Sequence, residues 1–206
     1  MSELRITGGT LRGRRIAVPQ GVFEIRPAMD RLRESVFSIL GPLDGRSFLD
    51  LFSGSGVIAL EAASRGASPV ECVERDRSKL SLLIQNVSIA PEHIACHCMP
   101  VERFLKRCDR SFSLIFCDPP FPYAYKSELI ASIADQVVLE SGGLLMIHYP
   151  AEEKLPHTHG ELKTVDEREY GRSIVRFYRR NCLPVEAPDQ SLEPRLKPLD
   201  QSIVSI

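Results

Sequence analysis

Two short runs of this sequence carry residue types that could do chemistry together. The first, Asp50 to Ala59, reads DLFSGSGVIA: an acid ends an apolar run, and Gly54-Ser55-Gly56 leads into helix-forming residues. A strand that enters glycines and then a helix lets backbone N–H groups approach a ligand, because glycine lacks a Cβ to hold it off. Glu74 closes the next apolar run, twenty residues after Gly54, where its carboxylate can accept both hydroxyls of a ribose. The spacing Gly54-x-Gly56-x-x-Ala59 followed by Glu74 also fits a nicotinamide dinucleotide fingerprint. Asp50 favours another ligand. Its charge opposes a pyrophosphate but suits a molecule bearing an ammonium and a sulfonium, the charge pattern of S-adenosylmethionine.

The second run, Phe116 to Tyr123, reads FCDPPFPY. Pro119 and Pro120 fix φ and lack N–H donors, so the carbonyls there are oriented acceptors. Asp118 adds a side-chain acceptor, and Phe121 a flat apolar face. Together they suit a planar ring bearing an exocyclic NH2, stacked on Phe121 and hydrogen-bonded to Asp118 and a proline carbonyl. Such an amine is a poor nucleophile because its lone pair is delocalised into the ring. Accepting both hydrogens localises that pair, and Asp118 can take the proton once a methyl group has arrived. The sulfonium is already activated, so alignment supplies much of the rate, and no metal is required.

These residues need a scaffold that brings both runs to one edge, and the rest of the sequence supplies it. From Arg46 onward strands alternate with helices: SFLDLF, GVIALEAASRG, PVECVE, KLSLLIQNVSIA, HIACHC, VERFLKRC, FSLIFCD, SELIASIADQVVL and GGLLMIHY. That order predicts an α/β fold with a parallel sheet covered by helices on both faces, ligands binding at its carboxyl edge. LKTVDEREYGRSIVRFYRR predicts a terminal antiparallel hairpin turning near Tyr170-Gly171. Ahead of the sheet, RITGGTLRGRRIAVP reads as a basic β-hairpin around Gly8-Gly9 and Gly13, and the spacing of Leu32, Val36, Ile39 and Leu40 predicts a helix from about Met29 to Leu40. The organisation is therefore a basic extension over 1–27, a catalytic domain over 28–181 and a Pro-rich tail over 182–206, expected to be disordered.

At 206 residues with a formal net charge of −1, the chain can bury one core and carries no overall polycation. Its basic charge is local. The first 33 residues hold seven arginines (5, 12, 14, 15, 26, 31 and 33) and no lysine, and guanidinium forks grip phosphate bidentately. No signal peptide or membrane-spanning run is present, which points to the cytoplasm and reduced thiols. Cys96 and Cys98 flank His97 without a second ligand pair at a zinc spacing, so no metal site is expected. No coiled-coil or apolar stripe demands a partner subunit, and a monomer is expected.

From Leu4 to Arg180 the chain resembles the bacterial methyltransferases that modify a guanine N2 of small-subunit ribosomal RNA. The resemblance rests on RITGGTLRGRRIAVP, RPAMDRLRESVF, FLDLFSGSGVIALEAASRGA, the VERD of Val73 to Asp76, DPPF and YGRSIVRFYRR. It implies the Rossmann-like class I methyltransferase fold, with a seven-stranded sheet whose last strand is antiparallel. S-adenosylmethionine would then be the cofactor. Asp50, Phe52, Ser53, Gly54, Ser55 and Gly56 would hold its methionine part, Glu74 with neighbouring Arg75 its ribose, and the Val101 N–H its adenine. Asp118, Pro119, Pro120 and Phe121 would receive a flipped guanine, and Arg5, Arg12, Arg14, Arg15, Arg26 and Arg31 would contact RNA within an assembling ribosomal subunit.

The chain departs from the family at two places. Relatives carry a hydroxyl residue where this chain has Ala28-Met29, so Asp30 is expected to cap a slightly later helix. Pro100 replaces a side-chain acceptor beside the adenine, leaving the Val101 N–H to read that ring. Three alternatives stand beside the guanine reading: an amino-methyltransferase acting on adenine N6 or another guanine, an NAD-dependent oxidoreductase, and a non-catalytic RNA-binding assembly protein.

Overall fold

The apolar runs form neighbouring strands of one sheet in a computed structural model, which describes residues 2–18 and 27–181. Arg26 and the 182–206 tail lie outside the described residues. In chain order the elements are β1 (Ser2–Arg5), β2 (Arg15–Val18), α1 (Pro27–Leu40), β3 (Phe48–Leu51), α2 (Val57–Ser64), β4 (Val70–Glu74), α3 (Arg77–Val87) and β5 (Ile94–Cys98). They continue with α4 (Val101–Leu105), β6 (Phe112–Cys117), α5 (Lys126–Asp135), β7 (Leu139–Pro150), β8 (Thr158–His159), β9 (Leu162–Tyr170) and β10 (Ser173–Arg180). Among them no helix is long and apolar enough to cross a membrane.

The main sheet has the order β5-β4-β3-β6-β7-β10-β9-β8, its first five strands parallel and the rest antiparallel. The family resemblance implies seven strands with the last antiparallel; here β7, β10, β9 and β8 pair antiparallel in turn, and β8 makes an eighth strand. It exists because Gly160, at φ 53°, lets Thr158–His159 fold back on Leu162–Lys163. Side chains alternate across the sheet with period two. On β6, Leu114 and Phe116 face the core under α1, α2 and α3, whereas Ile115 and Cys117 face the core under α4 and α5; a register shift between Phe112 and Leu114 puts Phe112 with the second set. The chain leaves β3 to one side through β4 and β5, then returns to build β6 on the other. Ligands of open α/β sheets bind at such a reversal, beyond the strands' carboxyl ends.

Two boundaries differ from expectation. Helix α1 starts at Pro27, where a fixed φ and a missing N–H suit the first helical position. Asp30 therefore lies inside the helix and is not its cap; its carboxylate pairs with Arg33 at 2.9 Å. Helix α5 stops at Asp135, short of the predicted Leu139, because Val137 adopts a left-handed φ of 55° and Leu139 already belongs to β7.

The basic hairpin β1–β2 pairs Ser2 with Val18 through Arg5 with Arg15. One face buries Ile6 and Ile16 in the α1–α2–α3 core, which contributes about 2 kcal/mol for each. The loop between the strands then docks on α2. Thr10 N–H donates to the Ser64 carbonyl at 2.7 Å, Leu11 N–H to Ser64 Oγ at 2.8 Å, and Ser64 Oγ to the Gly8 carbonyl at 2.6 Å. Glu61, fully buried, accepts from Thr7 N–H at 2.8 Å and Thr7 Oγ1 at 2.7 Å, and pairs with Arg65 at 2.8 Å. Arg33, also buried, approaches Glu61 at 3.6 Å and donates to the Arg5 carbonyl at 2.7 Å. One of the seven arginines is thus a structural strut.

Candidate active site

Register brings the predicted residues to one end of the sheet. Asp50 pairs with Cys72 and Phe116, so the segments after β3, β4 and β6 leave the sheet side by side. Asp50 is 1 % exposed, and its Oδ2 has no hydrogen-bond partner among the described residues. Burial pushes its carboxyl well above the ordinary range, and the charges of Asp118 and then Glu74 push the same way. A buried acceptor without a donor fits an ammonium group and would repel the pyrophosphate of a dinucleotide.

The glycine turn works differently from the sequence expectation. Its N–H groups do not all point at a ligand: Gly54 N–H donates to Glu74 Oε2 at 2.9 Å and Gly56 N–H to the Ser53 carbonyl at 2.8 Å. Ser53 is committed to the scaffold, with Oγ donating to the Asp50 carbonyl at 2.7 Å and accepting from Val73 N–H at 3.0 Å. The Ser55 carbonyl is held by Asn86 Nδ2 at 2.9 Å, and the same amide holds the Ala17 carbonyl of β2. What the turn offers is a wall without side chains at Gly54, where a Cβ would meet nothing within 4 Å. Phe52 adopts φ 64°, a conformation that costs a non-glycine residue about 1–2 kcal/mol and gathers at functional sites.

Glu74 is buried, and its Oε1 accepts from Asp76 N–H at 2.8 Å. Each oxygen keeps a further lone pair, so the two backbone donors fix the carboxylate without exhausting it. Arg75 is exposed beside it, and Asp76 caps α3 by accepting from Ser78 N–H at 2.9 Å. The Val101 side chain is buried, and its N–H opens α4 directly after Pro100, where helical N–H groups lack intrahelical acceptors.

Asp118 follows β6, and its Oδ1 lies 2.8 Å from Nδ1 of His148, a buried residue of β7. Pro120's carbonyl accepts from Tyr123 N–H at 2.8 Å, which leaves Pro119's as the proline acceptor for a ligand. Phe121 is 45 % exposed, so its ring is open to solvent. Beneath the loop, buried Lys126 donates to the carbonyls of Phe121 at 2.9 Å and Tyr123 at 2.7 Å, and pairs with Glu153 at 2.9 Å. Tyr123 Oη donates to Glu102 at 2.6 Å, while burial and that carboxylate push the phenol's pKa up and keep it a donor. The rings of Phe52 and Tyr123 meet edge-on at 5.3 Å, joining the two loops, and an open cavity of about 400 Å³ borders Phe121, Tyr123 and Lys126.

Sequence reasoning missed Lys126, His148 and Asn86. Lys126 carried a usable signal, since a lysine at a helix start just behind a run of carbonyls can satisfy them. His148 stands one residue past Ile147, the partner of Cys117, so adjoining strand ends align it with Asp118. Arg5, Arg12, Arg14, Arg15 and Arg31 are all exposed, and Arg15 pairs with Glu3 at 3.1 Å across the hairpin.

Residues 4–179 match the family model described as conserved hypothetical protein 95. The ribosomal RNA small subunit methyltransferase D of Escherichia coli K12 is 31% identical over 182 residues, 87% of this chain and 91% of that protein. The solved structure of the Escherichia coli protein yhhF superimposes with a TM-score of 0.78 at 30% identity, over 88% of this chain and 100% of that one. The more distant SMU.776, solved in complex with SAH, shares the fold with a TM-score of 0.58 at 17% identity, over 80% of this chain and 53% of its own.

Proposed function

The chain belongs to the conserved hypothetical protein 95 family, and from that premise we propose that it transfers a methyl group from S-adenosylmethionine to the exocyclic N2 of a guanine in small-subunit ribosomal RNA. One observation carries this reading: Asp118 follows Cys117, the partner of Leu51, and its N–H reaches the Leu51 carbonyl at 3.4 Å, so it leaves the sheet at the same edge as Asp50. An acceptor for an amine's hydrogens and an acceptor for a ligand's ammonium thus share one site.

When bound, the donor supplies a sulfonium methyl already activated for transfer. Asp50 would hold its ammonium, Glu74 its ribose hydroxyls, the bare Gly54 wall its methionine chain and the Val101 N–H its adenine edge. Opposite it, Asp118 and the Pro119 carbonyl would accept the two amino hydrogens of a guanine stacked on Phe121. That pairing draws the nitrogen's lone pair out of the ring. Asp118 then takes the proton that methylation makes acidic and releases it to water. A base within structured RNA must be extruded to reach this edge. Exposed Arg5, Arg12, Arg14, Arg15 and Arg31 would grip the surrounding phosphates. Assembling ribosomal subunits place the reaction in the cytoplasm.

The test is transfer of labelled methyl from S-adenosylmethionine to small-subunit RNA, with the modified nucleoside identified by mass. Label should appear in N2-methylguanosine, whereas label in N6-methyladenosine would reject the acceptor. Asp118→Ala should lower turnover by at least about a hundredfold while RNA affinity stays within a few-fold.

A further inference from the structure

Resting on that reading, we infer that His148 is a positioning residue for the transfer step: its imidazole fixes the Asp118 carboxylate so that one oxygen is left for the substrate amine. Asp118 and His148 follow the last aligned pair of β6 and β7, Cys117 and Ile147, so the backbone itself sets them abreast. The imidazole is 2 % exposed, its Nδ1 lies 2.8 Å from Asp118 Oδ1, and its buried Nε2 has no partner among the described residues. A proton on Nε2 would be a donor stranded in the interior. With Nδ1 facing a carboxylate oxygen and Nε2 facing none, the ring carries a proton on Nδ1 and donates it to Asp118.

That assignment has two consequences for the acceptor site. A donor on Oδ1 fixes the carboxyl plane, and it leaves Oδ2 as the oxygen for the substrate. The ring also meets Phe121 edge-on, with centroids 5.5 Å apart and planes at 63°. One buried side chain therefore braces both the hydrogen-bonding group and the stacking platform. Freed from it, Asp118 can adopt other rotamers, and a misplacement of about 1 Å at a reacting group can lower turnover about a hundredfold.

Three proteins test the inference: wild type, His148→Leu, which fills space without a donor, and His148→Asn, whose Nδ2 can occupy the place of Nδ1. His148→Leu should lower kcat about ten- to a hundredfold, with KM for S-adenosylmethionine and RNA affinity within about threefold. His148→Asn should recover most of the lost turnover. The imidazole 15N shifts of folded wild type should report a protonated Nδ1 and a bare Nε2, and should change in Asp118→Asn. Wild-type turnover in a folded His148→Leu would overturn the inference, as would a folded His148→Asn no faster than the leucine variant. A ring protonated on Nε2 would overturn it even if neither variant folds. Failure of wild type to methylate small-subunit RNA instead overturns the parent reading, and this inference with it.

Discussion

Two of the chain's glycine pairs, Gly8-Gly9 on the basic hairpin and Gly54-x-Gly56 after β3, are glycines for different reasons. At Gly9, with φ 72°, a Cβ would land on the Ser64 carbonyl oxygen, well inside contact distance. At Gly54, with φ 53°, a Cβ would meet nothing within 4 Å. The first glycine lets one piece of protein close on another. The second leaves open space, as Gly13, Gly41, Gly45, Gly160 and Gly171 also do, and only its place at the sheet edge beside Asp50 and Glu74 makes that space a candidate for a ligand. Gly56 is intermediate, since a Cβ there would press on Leu83 Cδ1 at 2.6 Å and Val87 Cγ1 at 2.8 Å, both ends of side chains on α3.

The largest expected effect lies on the docking side. Gly9→Ala cannot be absorbed by a side chain, because the obstacle is the backbone of α2. The hairpin must lift, giving up the Thr10 and Leu11 bonds to Ser64 and both Thr7 bonds to Glu61. Glu61 would then lie buried with fewer donors, so a loss of about 3 kcal/mol is expected, read as a fall in Tm. The lifted hairpin carries Arg5, Arg12, Arg14 and Arg15, so RNA binding should also become less salt-dependent. An alanine variant with wild-type Tm would show that the hairpin loop is not held tightly against α2.

On the ligand side the same kind of experiment should change sign. The Asp50 carboxyl titrates higher in the folded protein than in the unfolded chain, first because it is buried and then because of Asp118. Above the ordinary carboxylate pKa of about 3.9 the unfolded chain has released this proton while the folded one retains it. Stability therefore falls with rising pH from there up to the raised folded value. Asp50→Asn removes this penalty, so the ligand-free variant should be about 2 kcal/mol more stable at neutral pH. It should also bind S-adenosylmethionine at least about tenfold more weakly, since a charged hydrogen bond is lost. Calorimetry with and without ligand reads both signs. A destabilised ligand-free variant would mean that Asp50 is satisfied by the protein itself.

This contrast shows what could be read from sequence. The strand–helix alternation, the parallel centre and the positions of Asp50, Glu74 and Asp118 follow from strand ends, which apolar periodicity marks well. Gly8-Gly9 was legible as a turn but not as a seam, because only α2's position reveals what lies opposite. Ser53 has the same history: its place in the motif suggests a ligand contact, yet its hydroxyl ties β3 to β4. Lys126 acts on carbonyls only 3 to 5 residues away and was legible in principle, whereas His148 acts on a partner 30 residues away. Apolar periodicity carries no trace of the second pairing until strand register is known.

The smallest expected effect decides whether the bare wall is functional. With no obstacle near its Cβ, Gly54→Ala should cost the ligand-free protein only the left-handed conformation of an alanine, about 1 kcal/mol. A seam glycine of the Gly9 kind would cost several times more. If the wall serves a ligand, the added methyl group occupies the space the methionine chain needs, and S-adenosylmethionine affinity should fall about tenfold while Tm barely moves. Because the Gly54 N–H still reaches Glu74, the ribose acceptor should stay in place and adenosine alone should bind as before. Equal losses for adenosine and S-adenosylmethionine would mean that alanine had disturbed the whole turn, and that the two glycine pairs are less different than their surroundings indicate.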